Sequence, residues 1–175
     1  MYDVHRLRIR ERVTRAVTDT GIFEAKKRYG LSVLDYIVTS NHIHLLVKDT
    51  GANVIADSMQ LIARRSAQEY NQRKGKQGTF WEDRYHATAS ECEEYLHQCL
   101  VYIGLNMVRA GVVNHPSKWV HSGYREIQLP PKRYAVIDLL GLVLRTWKFS
   151  KRASQWVDHA LENCRALRDD DAGLN

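Results

Sequence analysis

Apolar residues along this chain recur at two spacings, and the switches between them mark out the elements. Residues 11–28 carry a helical spacing that stops at Gly30, a residue suited to the left-handed turn that closes a helix. Two runs rich in β-branched and aromatic residues follow, Leu31–Thr39 and His42–Lys48, with the polar pair Ser40-Asn41 between them. That arrangement predicts an antiparallel hairpin. Period two in its second strand puts His42, His44 and Leu46 on one face, and Ile43, Leu45 and Val47 on the other. Asn53 is placed to cap a helix reaching about Arg73, with Ile55, Met59, Ile62, Ser66 and Tyr70 on one stripe. Lys74 to Gly78 is then a loop whose glycines permit close backbone approach, and the β-prone stretch Thr79–Ala89 is a strand. Ser90-Glu91-Cys92-Glu93 has the form of a capping box ahead of a helix that should stop at Gly111. Pro116 opens a loop containing Trp119, and Tyr134–Leu144 and Ser154–Leu167 again have helical spacing.

The order of helix, hairpin, helix, strand, helix predicts an α+β fold with helices covering one face of an antiparallel sheet. At 175 residues, with 44% hydrophobic and 26% charged positions, the chain is sized for one ordered domain with its own core and is not of disordered composition. Its longest apolar stretch, Ala135 to Leu144, is interrupted by Asp138 and falls short of the ~20 residues that cross a bilayer. No apolar run follows the arginines near the N-terminus, so a secretory leader is not expected. Cys92, Cys99 and Cys164 form no close pair and are read as reduced thiols of a cytoplasmic protein.

Charge narrows the partner class. The formal net charge is +6, and the basic residues crowd 5–28 and 64–84, whereas Asp169, Asp170 and Asp171 make the tail acidic. A polyanion fits such an excess, because each phosphate neutralised releases condensed counterions; simple solubility accounts for it as well.

His42-Ile43-His44 sets two imidazoles on one face of one strand, where both can reach one ion. A metallo-β-lactamase-like site would want an Asp where Leu46 stands. An amidohydrolase-like pair needs a barrel of about 250 residues, and a structural zinc finger needs cysteines at close spacing. The helix after Ser90 has its apolar centre at Cys92, Leu96, Cys99, Ile103 and Met107, and Tyr102 and Asn106 lie four apart on a flanking stripe. Packing and surface roles are ordinary for both residues. Together, two neutral imidazoles and an amide oxygen would bind a divalent cation without cancelling its charge, beside a phenol able to attack phosphorus. None of these residues is an obvious general base for Tyr102.

The segment Tyr36–Val47 resembles the HUH signature of single-tyrosine transposases, where U is a bulky apolar residue. Phe80-Trp81-Glu82-Asp83-Arg84-Tyr85 resembles the W-x-x-R-Y block of the REP-associated tyrosine transposase branch, and Leu100–Gly111 resembles that branch's Y-I-x-L-N-x-V-R-A-G helix. The resemblance runs from about Phe23 to Glu126. It implies a ferredoxin-like HUH endonuclease fold over residues 1–128, with 129–175 as a helical C-terminal extension. Tyr102 would be the nucleophile, and His42, His44 and Asn106 the ligands of Mg²⁺ or Mn²⁺. The implied activity is nicking and rejoining of single-stranded DNA beside a hairpin, through a 5′-phosphotyrosine. A catalytically inactive DNA-binding derivative is the alternative, and a zinc hydrolase on the histidine pair a third reading.

Two departures from the family pattern stand out. Members begin with a further strand, and Met1–Arg12 shows no apolar alternation, so the first strand is expected to be missing. Gly104 stands where an acidic residue is common. Candidate DNA contacts are Arg64, Arg65, Arg73, Lys74 and Lys76 along a phosphate track, with Trp81 for base stacking and Arg84 and Arg109 for phosphate. Solvated helix-end cations and a core Trp81 are the alternatives.

Overall fold

A computed structural model describes residues 2–8, 21–75, 77, 81, 86–90, 92–133 and 135–146. The expectation of a missing first strand is overturned. Tyr2–Arg8 is strand β1, paired antiparallel on both sides. Its apolar residues, Tyr2, Val4 and Leu7, do not keep one parity, so no period-two signal exists to read. Two hydrogen-bonded neighbours supply what the pattern lacks, since strand preference is set largely by pairing and burial.

Helix α1 (Phe23–Tyr29) ends at Gly30, whose φ of 72° is left-handed and whose N–H donates to Lys26 O. The rest of the 11–28 stretch lies outside the described residues. The hairpin forms as expected from β2 (Ser32–Val38) and β3 (His42–Lys48). Helix α2 (Val54–Lys74) follows, then β4 (His86–Ser90) and helix α3 (Glu93–Arg109). The helix starts differ from those expected. Asn53 adopts φ 64° and makes no side-chain cap bond. Ser90 is used as the last residue of β4, and α3 begins after Cys92 without one. Beyond α3 come a 3₁₀ turn at Pro116–Lys118, the short helix α4 (Tyr124–Gln128) and helix α5 (Leu139–Thr146). The sequence reading did not anticipate α4. It also began the next helix too early, because Val136 and Ile137 run extended along β2 before α5 starts. The helix expected at Ser154–Leu167 lies outside the described residues.

The sheet order is β2-β3-β1-β4, all neighbours antiparallel. This is the ferredoxin-like arrangement: β1-α1-β2 and β3-α2-β4 each step over one strand. Two right-handed crossovers running in opposite directions put α1 and α2 on the same face, where they pack on one another. Helix α3 packs against β2 and β3 on the face that carries His44. The hairpin is consequently covered on both faces: every residue of β2 is buried, as are Ile43 to Val47 of β3. Ala25, Met59, Ile62, Leu96 and Ile103 share one core with it.

The outer edge of β2 is closed by the chain that follows α3. Val38 N–H donates to His121 O, Gly123 N–H to Tyr36 O and Asp138 N–H to Val33 O. Gly123 is required here, since a Cβ would lie 2.5 Å from Asp35 Oδ1 and 3.3 Å from the Tyr36 nitrogen. Lys26 Nζ donates to the carbonyls of Ala135, Val136 and Ile137, and Val136, Ile137 and Leu142 are buried in the main core. The described part of the 129–175 extension is therefore built into the domain. Among the described residues, no helix is long and apolar enough to cross a membrane.

Candidate active site

Strand β3 runs beside the centre of the sheet, and its parity decides which residues can do chemistry. Ile43, Leu45 and Val47 are fully buried on one side. On the other, His42 and His44 have ring centroids 6.0 Å apart in a near-parallel stack, and α3 lies over them. Leu96, Cys99, Ile103 and Met107 hold α3 on the core; Cys92, expected on that stripe, is exposed at the helix start. Tyr102, one residue off the buried stripe, meets His44 edge-to-face with ring centroids 5.5 Å apart. The tyrosine is 43% exposed and His44 only 5%, so the phenol borders solvent while its neighbour is enclosed. Asn106, half-buried, follows one helical turn after Tyr102.

The donor set suits a hard-to-borderline divalent ion. Two imidazoles and an amide oxygen bring no negative charge, and a ligating nitrogen needs to approach to about 2.0–2.1 Å. His42 Nδ1 lies 2.8 Å from Asn41 Oδ1. Among the described residues no cluster of three or more His, Cys, Asp or Glu exists, so an all-protein zinc cage is not formed there. His42, His44 and Asn106 are nitrogen and oxygen donors of a kind that Mn²⁺ accepts, whereas Mg²⁺ prefers an all-oxygen shell.

The proposed phosphate track does not converge on this place. Arg64, Arg65, Arg73 and Lys74 lie on α2, across the sheet from Tyr102. Arg65 is 3.9 Å from the Glu24 carboxylate and Arg73 pairs with Glu69. Trp81 takes the core role: half-buried, it donates its indole N–H to Ala63 O at 2.8 Å. Arg109 is exposed in the last turn of α3. Lys76 and Arg84 lie outside the described residues. The register adds two residues that the sequence reading passed over, because β1 carried no strand signal. In the β1–β3 register Arg6 is the partner of His44 and Arg8 that of His42.

A buried acid also lies on β2. Asp35 sits beside a bulge in the β2–β3 register, opposite Leu46. Burial drives its pKa from 3.8 to about 8, against a hydrogen bond from the Tyr36 N–H and with added repulsion from Glu126. Glu126 is itself raised by burial, although the Ile137 N–H and Lys26 oppose this. Burial works against ionisation of Asp138 too. There the Ser32 hydroxyl, the Gly141 N–H, Lys26 and Lys48 together win and hold the carboxyl below its ordinary range.

Comparison with known proteins fits this geometry. No curated protein matches the chain. A solved REP-associated tyrosine transposase bound to a REP hairpin shares the fold, with TM-score 0.59, 17% identity, and coverage of 74% of this chain and 79% of that one. A proposed transposase of Deinococcus radiodurans aligns at TM-score 0.41 and 18% identity over 58% of this chain and 88% of its own. The family model described as "Transposase IS200 like" matches residues 5–105, from β1 through the tyrosine helix, and the chain belongs to that transposase family.

Proposed function

We propose that this protein is a metal-dependent, single-tyrosine strand transferase that nicks and rejoins single-stranded DNA next to hairpin or palindromic sequences. The observation that carries the reading is the 5.5 Å contact between Tyr102 and His44, which joins a surface phenol on α3 to the histidine face of β3. The Tyr102 oxygen attacks the phosphorus of a DNA strand brought to this face. A bond forms between phosphorus and the phenolic oxygen, and the bond to the 3′ oxygen breaks. The products are a 5′-phosphotyrosine and a free 3′-hydroxyl. The phosphodiester energy is conserved in the covalent link, so the reverse attack reseals a strand without ATP. His42, His44 and Asn106 are the residues that would hold Mg²⁺ or Mn²⁺, which when bound supplies Lewis-acid stabilisation of charge on the phosphate.

The bound REP hairpin of the structural neighbour supports hairpin DNA as the substrate class. The main argument for an inactive derivative was the loss of the first strand, and that strand is present. The test is incubation with a single-stranded hairpin oligonucleotide and Mn²⁺ or Mg²⁺. An SDS-stable protein–DNA adduct is expected, lost in Tyr102→Phe while binding persists. An adduct that survives Tyr102→Phe overturns the assignment. Binding in EDTA with no adduct under any metal condition would instead identify a non-catalytic binder.

A further inference from the structure

The turn between β2 and β3 contains a side chain that the chemistry above leaves unused. Asn41 is exposed and directly precedes His42, and its side-chain oxygen lies 2.8 Å from His42 Nδ1. An amide oxygen only accepts hydrogen bonds. With the amide oxygen turned to the ring, the contact places a proton on Nδ1, and in the neutral imidazole the lone pair is then on Nε2, the nitrogen farther from the backbone.

Closure of the turn rests on other groups. Thr39 N–H donates to His42 O at 2.8 Å, and His42 N–H donates to Thr39 Oγ1 at 3.0 Å. The Thr39 hydroxyl lies 3.1 Å from His42 O as a donor, and only 3.5 Å from the Asn41 oxygen. Thr39 thus ties the strand ends together, while the asparagine side chain is spent on the ring. The two residues divide the work: one fixes the backbone of His42, the other its imidazole.

We infer that Asn41 is a positioning residue that holds His42 in its Nδ1–H tautomer and presents Nε2 to the divalent cation of the His42–His44–Tyr102 face. This rests on the metal-dependent reading above. Ligating histidines commonly donate their second ring N–H to an oxygen that fixes tautomer and orientation, and loss of such a partner weakens metal binding about 10–100-fold. Asn41 supplies that oxygen from the adjacent residue. Its carbonyl is neutral, so the face keeps its positive character for phosphate.

Two readouts on the full-length protein test this. The first is a long-range ¹H–¹⁵N correlation spectrum of the metal-free protein at about pH 8, where histidine is neutral. His42 is expected to show the Nδ1–H pattern in the wild type, a mixed pattern in Asn41→Leu, and a restored Nδ1–H pattern in Asn41→Asp, which keeps an acceptor. The second is Mn²⁺ affinity, read by electron paramagnetic resonance of the free ion. Asn41→Leu is expected to bind about 10–100-fold more weakly, and Asn41→Asp at least as tightly as the wild type. Equal Mn²⁺ affinity in the wild type and His42→Ala overturns the metal reading itself. If His42→Ala loses Mn²⁺ but Asn41→Leu changes neither the tautomer pattern nor the affinity, the metal reading stands and the role of Asn41 falls.

Discussion

Helices α2 and α3 lie against the same sheet, and both carry the polar residues that a DNA-processing protein would want, yet only α3 is shown with one of them, Tyr102, against a histidine of β3. On α2 the cations are numerous and scattered: Arg65 faces Glu24, Arg73 pairs with Glu69, and the helix lies on the crossover face. On α3 Tyr102 lies against His44 of β3, and Asn106 follows it one turn later. Charge density is thus a poor guide to the proposed reacting face. What distinguishes α3 is that one position of its flank, Tyr102, meets a specific side chain on another element, His44.

The largest test of that difference is Tyr102→Phe, which keeps the ring packed on His44 and removes the nucleophilic oxygen. Adduct formation is expected to drop by at least about 10³-fold, measured on gels, with an unchanged melting temperature. A comparable adduct yield would make α3 no more catalytic than α2.

The reverse is expected of a purely structural change on α2. Ile62 is fully buried, and Ile62→Ala should cost about 2–5 kcal/mol of stability in denaturant titration. Adduct yield per folded molecule should hold. If it falls in proportion to Tyr102→Phe, the two faces are not independent.

Asp35 gives a pH-dependent test on β2. In the folded protein its pKa is raised to about 8 from 3.8. Below about pH 4 the acid is protonated in both states and costs nothing. As pH rises, the unfolded chain loses its proton first, so stability falls progressively between about pH 4 and pH 8, by on the order of 1 kcal/mol per pH unit. Asp35→Asn should remove this slope and raise the melting temperature most near neutrality. A parallel pH profile for wild type and variant would show that Asp35 ionises normally in place.

Gly104 lies between Tyr102 and Asn106, and a Cβ there would meet only the Tyr124 ring, at an ordinary 3.9 Å. Gly104→Ala should therefore stabilise α3 by about 0.5–1 kcal/mol, a rise of a few degrees by calorimetry. Reduced adduct yield in this variant would show that the glycine is kept for substrate approach. The smallest effect belongs to α2: Arg73→Gln breaks an exposed pair worth about 0–1 kcal/mol and should alter hairpin affinity less than twofold in fluorescence anisotropy. A large loss would bring α2 back as a DNA contact.

The sequence on its own determined the hairpin and the extent of α2 and α3. Those depend on local periodicity, such as the buried run of β3 and the stripe Met59, Ile62, Ser66. It also singled out His42, His44 and Tyr102, through motifs whose spacing survives in one dimension. Only the tertiary structure decided the rest. Strand β1 exists because β3 and β4 hydrogen-bond it on both sides, and Tyr2-Asp3-Val4-His5-Arg6-Leu7-Arg8 has no period of its own to announce it. The helix caps expected at Asn53 and Ser90 gave way to left-handed backbone and to strand pairing, since a local side-chain bond worth about 1 kcal/mol is readily outweighed by tertiary contacts. Val136 and Ile137 became an extended edge to β2 instead of the start of a helix, held there by Lys26 and by the close approach of Gly123. The face on which a cation lies is likewise set by crossover handedness and register, which no stretch of sequence encodes locally.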